Sequence, residues 1–284
     1  MNIKLKDIIQ LRYYDNETIL KDWDKLKDTQ CNDINQKTYI GSKLMNQFFF
    51  RYTIYTKSKR GISFIEFLKD KEQMKKPYFI SYMKNNKGKE KSELESMMKY
   101  FQLYYGSINL FKPIVAKYIY CKYKPSTVLD FSAGWGGRMI GAMSLPNINY
   151  IGFDTNKRLK KPYDNIIDFL NVKDRVKMFW YNSANVDFSK YDYDMVFTSP
   201  PYYDTEIYQD MPEYKDKDDF NDKFFFKVVR NSYKYMKKGG YFILNIPKDM
   251  YEDVKTILGK YDEKIILVKN YRNEYREYIY VWKK

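Results

Sequence analysis

The residues best suited to chemistry in this chain lie near position 200. An apolar run from Tyr193 to Thr198 ends in Ser199, Pro200, Pro201, Tyr202 and Tyr203. Consecutive prolines lack N–H groups and restrict the residue before them, so the run cannot continue a central strand. It must form a rigid turn at the strand's carboxyl edge. That turn fixes the Ser199 hydroxyl and the Pro200 carbonyl and sets an aromatic ring beside them. Such oxygens can take the hydrogens of a planar amine while Tyr202 stacks on the ring that bears it. A Pro-Pro-Tyr run also occurs as a simple loop staple.

A second constellation lies upstream. Thr127 to Asp130 is a short apolar strand ending in a carboxylate, followed by Phe131, Ser132, Ala133, Gly134, Trp135, Gly136 and Gly137 and then by a helical stretch from Met139 to Met143. Glycines at that spacing serve a dinucleotide, a nucleoside or only a tight turn. Asn149 to Asp154 is another strand ending in a carboxylate, a residue type that accepts hydrogen bonds from ribose hydroxyls. No third glycine stands at the dinucleotide offset. The pair therefore points to an adenosine-containing ligand without a pyrophosphate.

These two sites must be held by alternating strands and helices. Beyond the three strands named, Val176 to Tyr181, Gly240 to Asn245, Lys264 to Val268 and Glu277 to Trp282 read as strands, the last two as a terminal hairpin. The expected fold is α/β, a doubly wound, seven-stranded, mostly parallel sheet over residues 107–284, with ligands beyond the carboxyl ends of its strands. Residues 1–106 read as helical. Ser63 with Glu66 and Ser92 with Glu95 match the capping box, and Gly106 reads as a helix stop.

The ordered set Asp130 to Gly136, Asp154 and Ser199 to Tyr202 resembles the class I S-adenosylmethionine-dependent methyltransferases. Within them it resembles the DNA amino-methyltransferases of cytosine N4 and adenine N6, whose hallmark is Ser, Asp or Asn before Pro-Pro and an aromatic. The resemblance implies S-adenosylmethionine as cofactor. It places Asp130, Phe131, Ser132, Gly134 and Gly136 beside its methionine part, Asp154 at the ribose, and Asn182 or Ser183 near the adenine. Asn109, Lys112 and Pro113 fall where the family has a further cofactor-contacting segment. Ser199, Pro200, Pro201 and Tyr202 become the catalytic corner, with the target base flipped out of its duplex and stacked on Tyr202. Tyr202→Ala is then expected to abolish activity with little loss of fold. Two other readings stand behind this one: an RNA base amino-methyltransferase, which usually has Asn in place of Ser199, and a non-catalytic nucleic-acid-binding subunit.

Composition limits the alternatives. The 284 residues include no histidine, which removes Ser-His-Asp and Cys-His catalysis and His-ligated zinc. Two cysteines, Cys31 and Cys121, cannot build a zinc site, and no metal is expected; they could form at most one bridge and are read as reduced, buried thiols. No apolar run reaches membrane-spanning length, so a soluble, cytoplasmic protein without a membrane partner is expected. The net charge of +15 favours a polyanion. Residues 37–91 hold 14 basic and 4 acidic side chains, a net +10, interleaved with aromatics. Arg51, Lys57, Lys59, Arg60, Lys75 and Lys76, with Tyr203, are the expected nucleic-acid contacts, DNA ahead of RNA. Most of the rings, taken singly, read as the core of a helical unit. Residues 204–223 carry 8 acidic against 3 basic side chains. They are read as a lid over the flipped base or as a contact for the basic amino-terminal region.

Overall fold

The computed structural model describes residues 3–58, 60–202, 212–267 and 278–284. Among these, seven strands form one sheet: β1 (Thr127–Asp130), β2 (Asn149–Phe153), β3 (Val176–Phe179), β4 (Met195–Thr198), β5 (Tyr241–Ile246), β6 (Glu263–Ile266) and β7 (Tyr278–Lys283). Their order is β3-β2-β1-β4-β5-β7-β6. The first five are parallel, and β7 runs antiparallel between β5 and β6. The doubly wound sheet and the terminal hairpin are as expected from the sequence. The chain winds outward from β1 in one direction and from β4 in the other. Those two strands are neighbours, with Leu129 opposite Val196, so their carboxyl ends flank the switch point where open α/β sheets bind ligands.

The described helices are α1 (Leu5–Gln10), α2 (Asn16–Asp28), α3 (Ser42–Thr53), α4 (Phe64–Lys69), α5 (Lys71–Lys75), α6 (Pro77–Asn85), α7 (Glu93–Tyr104), α8 (Pro113–Tyr123), α9 (Gly137–Met143), α10 (Lys160–Leu170), α11 (Lys217–Phe220), α12 (Phe226–Tyr235) and α13 (Lys248–Leu258). None is long and apolar enough to cross a membrane. Ser63 and Glu66 make the full capping box of α4. At α7 only half of it forms: Ser92 accepts from the Glu95 amide, while the Glu95 carboxylate pairs with Arg12 at 3.3 Å. A tertiary ion pair there replaces a local hydrogen bond.

The helical region divides between two cores. Ile19, Trp23, Leu26, Leu44, Met45 and Phe49 share one apolar cluster with Ile114, Met139, Val128 and Ile243 of the sheet layer. Phe64, Phe67, Phe79, Met97 and Phe101 form a separate cluster with Phe50 and Ile54. Thus α2 and α3 are packed as part of the sheet's own cover, and α4 to α7 surround their own centre. The rings of residues 48–101 are mostly core, though Tyr55 and Tyr78 are exposed.

Polar contacts lock α2 and α3 to that cover. Buried Lys117 of α8 donates to the carbonyls of Leu26 and Lys27 at 2.6 and 2.9 Å, placing a cation at the carboxyl end of α2 where the helix dipole favours it. The start of α3 has no side-chain cap of its own. Asp22 of α2 supplies one, accepting from the amides of Gly41, Lys43 and Leu44. The cysteines differ from expectation. Cys31, in the short turn after α2, and Cys121 of α8 are joined as a disulfide with Cα atoms 5.6 Å apart, and Cys31 is exposed rather than buried. The packing of α2 against α8 brings together two thiols 90 residues apart in sequence.

Candidate active site

A cleft of about 120 Å³ opens at the switch point. Phe131, Ser132, Gly134 and Trp135 from the turn after β1 form one wall, and Ser199 to Tyr202 form the facing wall. Asp154 and Asn156 after β2, and Asn182 and Ser183 after β3, complete the rim. The two constellations singled out in the sequence therefore face one cavity. The sheet order explains why: β1 and β4 are adjacent and parallel, so both turns emerge on the same side.

The glycine turn is a hydrogen-bonded unit with β2 and β3. Asp154 accepts the Gly134 amide and the Asn156 amide, each at 2.8 Å. Ala133 donates to the Phe153 carbonyl at 2.9 Å, and the Ser183 hydroxyl donates to the Phe131 carbonyl at 2.8 Å. Below the turn, the Tyr163 hydroxyl lies within reach of the Ala133 and Gly134 carbonyls, at 3.2 and 3.1 Å. Burial pushes the Asp154 carboxyl above its ordinary value, although both amide hydrogen bonds work the other way. Each Asp154 oxygen spends one acceptor position on the backbone. A carboxylate oxygen has a second, so the residue can still accept from a ligand hydroxyl.

Two glycines are required by close approach. At Gly136, φ is +77°, and a Cβ would stand 2.7 Å from the Phe49 ring. At Gly137, a Cβ would overlap the Phe111 carbonyl oxygen, 1.8 Å away. Gly136 is not among the cleft-lining residues; it lies against the Phe49 ring of α3.

Asp130 is fully buried behind the cleft lining, hydrogen-bonded to two residues that belong to that lining, Ser132 and Arg138. Arg138 donates to it from Nε at 2.6 Å and from Nη2 at 3.3 Å, Tyr150 at 2.5 Å, and the Ser132 amide at 3.2 Å. Arg138 also donates to the Ser132 carbonyl and lies over the Phe111 ring. Burial works against the Arg138 cation, yet the neighbouring Asp130 carries its pKa above the ordinary value. Burial, with Asp130 beside it, keeps Tyr150 protonated and so a donor. Asp130 thus fixes the turn from beneath, while Arg138 reaches the cleft wall.

In the proline corner, the Tyr202 hydroxyl lies 3.3 Å from the Asn245 carbonyl and 3.4 Å from the Ser199 hydroxyl. A carbonyl only accepts, so the single phenolic proton points to Asn245 and Ser199 is the donor in the second contact. The Ser199 lone pairs then remain to accept. Tyr202 is only 9% exposed and belongs to a third apolar cluster, with Phe224, Phe225 and Tyr251. Its ring is part of the core as well as the cleft, against the expectation that its loss would spare the fold.

Lining residues that the sequence did not single out are Phe111, Asn156, Tyr181, Tyr214 and Phe224. The flanking position of Tyr181 after β3 was a usable signal. Tyr214 and Phe224 come from far along the chain, and Phe224 sits on a π-helical turn, Asn221–Phe225, between α11 and α12. Such turns are frequent at functional sites and have no simple sequence signature. The buried Trp135 indole N–H has no hydrogen-bond partner among the described residues. Asn109 lines the cleft, but the Lys112 amine turns to the carbonyls of Gln36 and Lys37 and over the Tyr39 ring, and Pro113 starts α8.

Of the expected nucleic-acid contacts, Arg51, Lys57, Arg60, Lys75 and Lys76 are exposed, and Lys75 is paired with Glu72 at 2.7 Å. Lys59 and Tyr203 lie outside the described residues, as does the acidic segment over 204–211. Pro212 and Tyr214, just beyond it, line the cleft.

No family model and no curated protein matches this sequence. Solved structures do. TrmN from Thermus thermophilus is 12% identical with a TM-score of 0.45, over 61% of this chain and 49% of that one, so the match spans about half of TrmN. An rRNA methylase from Streptococcus thermophilus is 11% identical with a TM-score of 0.44, over 62% and 99%. A SAM-dependent O-methyltransferase from Thermotoga maritima is 11% identical with a TM-score of 0.43, over 64% and 69%. Likenesses this remote carry no argument about this chain. Its own architecture is a seven-stranded, mostly parallel, doubly wound sheet with a helical amino-terminal region. One fold of this kind hosts many substrates, so function has to be argued from the site.

Proposed function

We propose that this chain transfers a methyl group from S-adenosylmethionine to an exocyclic amino nitrogen of a DNA base, cytosine N4 or adenine N6. One observation carries the reading: the Ser199–Tyr202 corner and the Gly134–Asp154 turn wall the same cleft. The residues present fit the cofactor. Asp154 offers acceptor positions for a ribose diol, Phe131 and Leu159 give apolar surface, and Asn182 and Ser183 offer polar groups for a base edge. When bound, S-adenosylmethionine supplies an electrophilic methyl group on a sulfonium.

The chain's own residues do the rest by positioning. An exocyclic amine on an aromatic base is a poor nucleophile because its lone pair is delocalised. Ser199 Oγ and the Pro200 carbonyl accept its hydrogens and draw the nitrogen toward tetrahedral geometry, which localises the pair. The proton direction from Ser199 to Tyr202 to Asn245 leaves the Ser199 oxygen as an acceptor at that moment. Because prolines lock the corner, little reorganisation accompanies the step. The Tyr202 ring is the surface against which a flipped base rests. The basic helical region, residues 1–106, is the recognition region for DNA in this reading.

Incubation with methyl-labelled cofactor and mixed DNA and RNA, followed by nucleoside mass spectrometry, tests the proposal. N4-methylcytosine or N6-methyladenine in the DNA is expected. Label confined to RNA, or absent from every nucleoside, overturns it.

A further inference from the structure

A second concavity lies on the far side of the Thr155–Leu159 segment from the cleft. Arg51, Tyr52 and Tyr55, from the end of α3 and just beyond it, form one bank. Lys157, Arg158, Lys160 and Lys161, from the turn before α10 and its first residues, form the other. Five cations therefore line one groove, with Asp164 as the acidic residue among its lining. Lys160 pairs with Asp164 at 2.6 Å, and both are exposed. Lys157, Arg158 and Lys161 are exposed, as is Tyr55, and the Arg51 guanidinium lies 5.5 Å from the Tyr52 ring centre.

Cations at the amino-terminal end of a helix oppose its dipole. The first turn of α10 holds no acidic side chain, and Asp164 in the next turn pairs with Lys160. A polyanion in the groove supplies partners of opposite charge. Asn156 and Leu159 line the cleft, whereas Lys157 and Arg158 between them line the groove, so one short stretch of chain borders both.

We infer that this groove holds the phosphodiester backbone of the DNA strand whose base enters the cleft. The inference rests on the reading of the cleft as a DNA base site and names where the adjoining phosphates lie. The cations neutralise phosphates, and Tyr52 and Tyr55 offer ring faces to a neighbouring unstacked base. Four of the five cations lie outside the basic stretch that the sequence marked as the nucleic-acid face.

The test is binding of a duplex oligonucleotide, followed by fluorescence anisotropy across a salt series. Each phosphate contact contributes about −0.9 to the slope of log affinity against log salt. The variant with Arg51→Ala, Lys157→Ala and Lys161→Ala is expected to bind at least tenfold more weakly at low salt, with a slope shallower by about 2–3. Lys157→Arg with Lys161→Arg keeps the charges and is expected to keep the slope, which separates charge from misfolding. Cofactor affinity, read by calorimetry, is expected to be unchanged in both. A wild-type slope in the triple-alanine variant, or binding of RNA but not DNA, overturns the inference. Methylated DNA with an unaltered slope sinks the groove alone; an altered slope with no methylated nucleoside sinks the reading of the cleft alone.

Discussion

The Asp154 carboxylate accepts the Gly134 amide at 2.8 Å, so the end of β2 and the turn after β1 move as one piece. The same carboxylate faces the cleft and is held there against its burial, which raises its pKa above 3.8. A raised folded-state value contributes stability that is complete below the unfolded value and is lost as pH rises through the folded one. At neutral pH the Asp154 anion is thus a burden on the fold. Asp154→Asn removes the titrating group but leaves one amide oxygen for two backbone amides, so the expected readout is a melting temperature that gains on the wild type as pH rises from about 4 to 7. Its cofactor affinity, by calorimetry, is expected to drop about tenfold, about 1.4 kcal/mol. Unchanged affinity removes Asp154 from the ribose site.

Tyr202 serves two ends, and two substitutions separate them. Tyr202→Ala empties a core position and is expected to cost about 3 kcal/mol or more in denaturant unfolding, together with all methyl transfer. Tyr202→Phe keeps the ring and loses the hydroxyl that receives the Ser199 proton. It is expected to fold nearly as well and to bind DNA normally while kcat falls. Equal kcat for Tyr202→Phe and the wild type means the hydroxyl does nothing for Ser199.

Breaking the buried Asp130–Arg138 pair leaves an uncompensated charge. Arg138→Met is expected to destabilise by about 3–5 kcal/mol, and adding Asp130→Asn to restore a good part of that. Guanidinium unfolding of the three variants checks it. A double variant no better than the single one shows that the turn, rather than the stranded carboxylate, is what fails.

The Cys31–Cys121 bridge closes a segment of 90 residues. Cross-links of that span stabilise chiefly by restricting the unfolded chain, typically by about 2–4 kcal/mol. Cys31→Ser is expected to lower the unfolding free energy of the oxidised protein by that amount, and reducing agent to bring the wild type to the same value. A wild type indifferent to reductant shows that the bridge is dispensable.

The sheet was legible because its strands are short apolar runs punctuated by glycines, prolines and terminal carboxylates. Those punctuating residues also mark the site: Ser199 and Gly134 were both found this way, and β1 beside β4 brings them together. Side-chain direction was not legible. Asp130 and Asp154 have the same sequence context, a carboxylate closing a strand, yet one is buried against Arg138 and the other lines the cleft. The partner eight residues on, Arg138, lies on the helix after a glycine turn whose path the sequence does not specify. The groove cations were hidden for a similar reason. Nothing in the run Lys157 to Lys161 marks a groove until α3 is packed beside it, and the Arg51 bank comes from a helix whose buried face includes Phe49 and Met45.

Leu26, Leu44 and Phe49 fill the same interior as Met139 and Ile243, whereas Phe67 and Phe101 fill another. An exchange of residues 1–106 between relatives would therefore open the core that covers the sheet. Variation has a narrower route, through the segment that begins near Phe64, whose interior is a separate cluster.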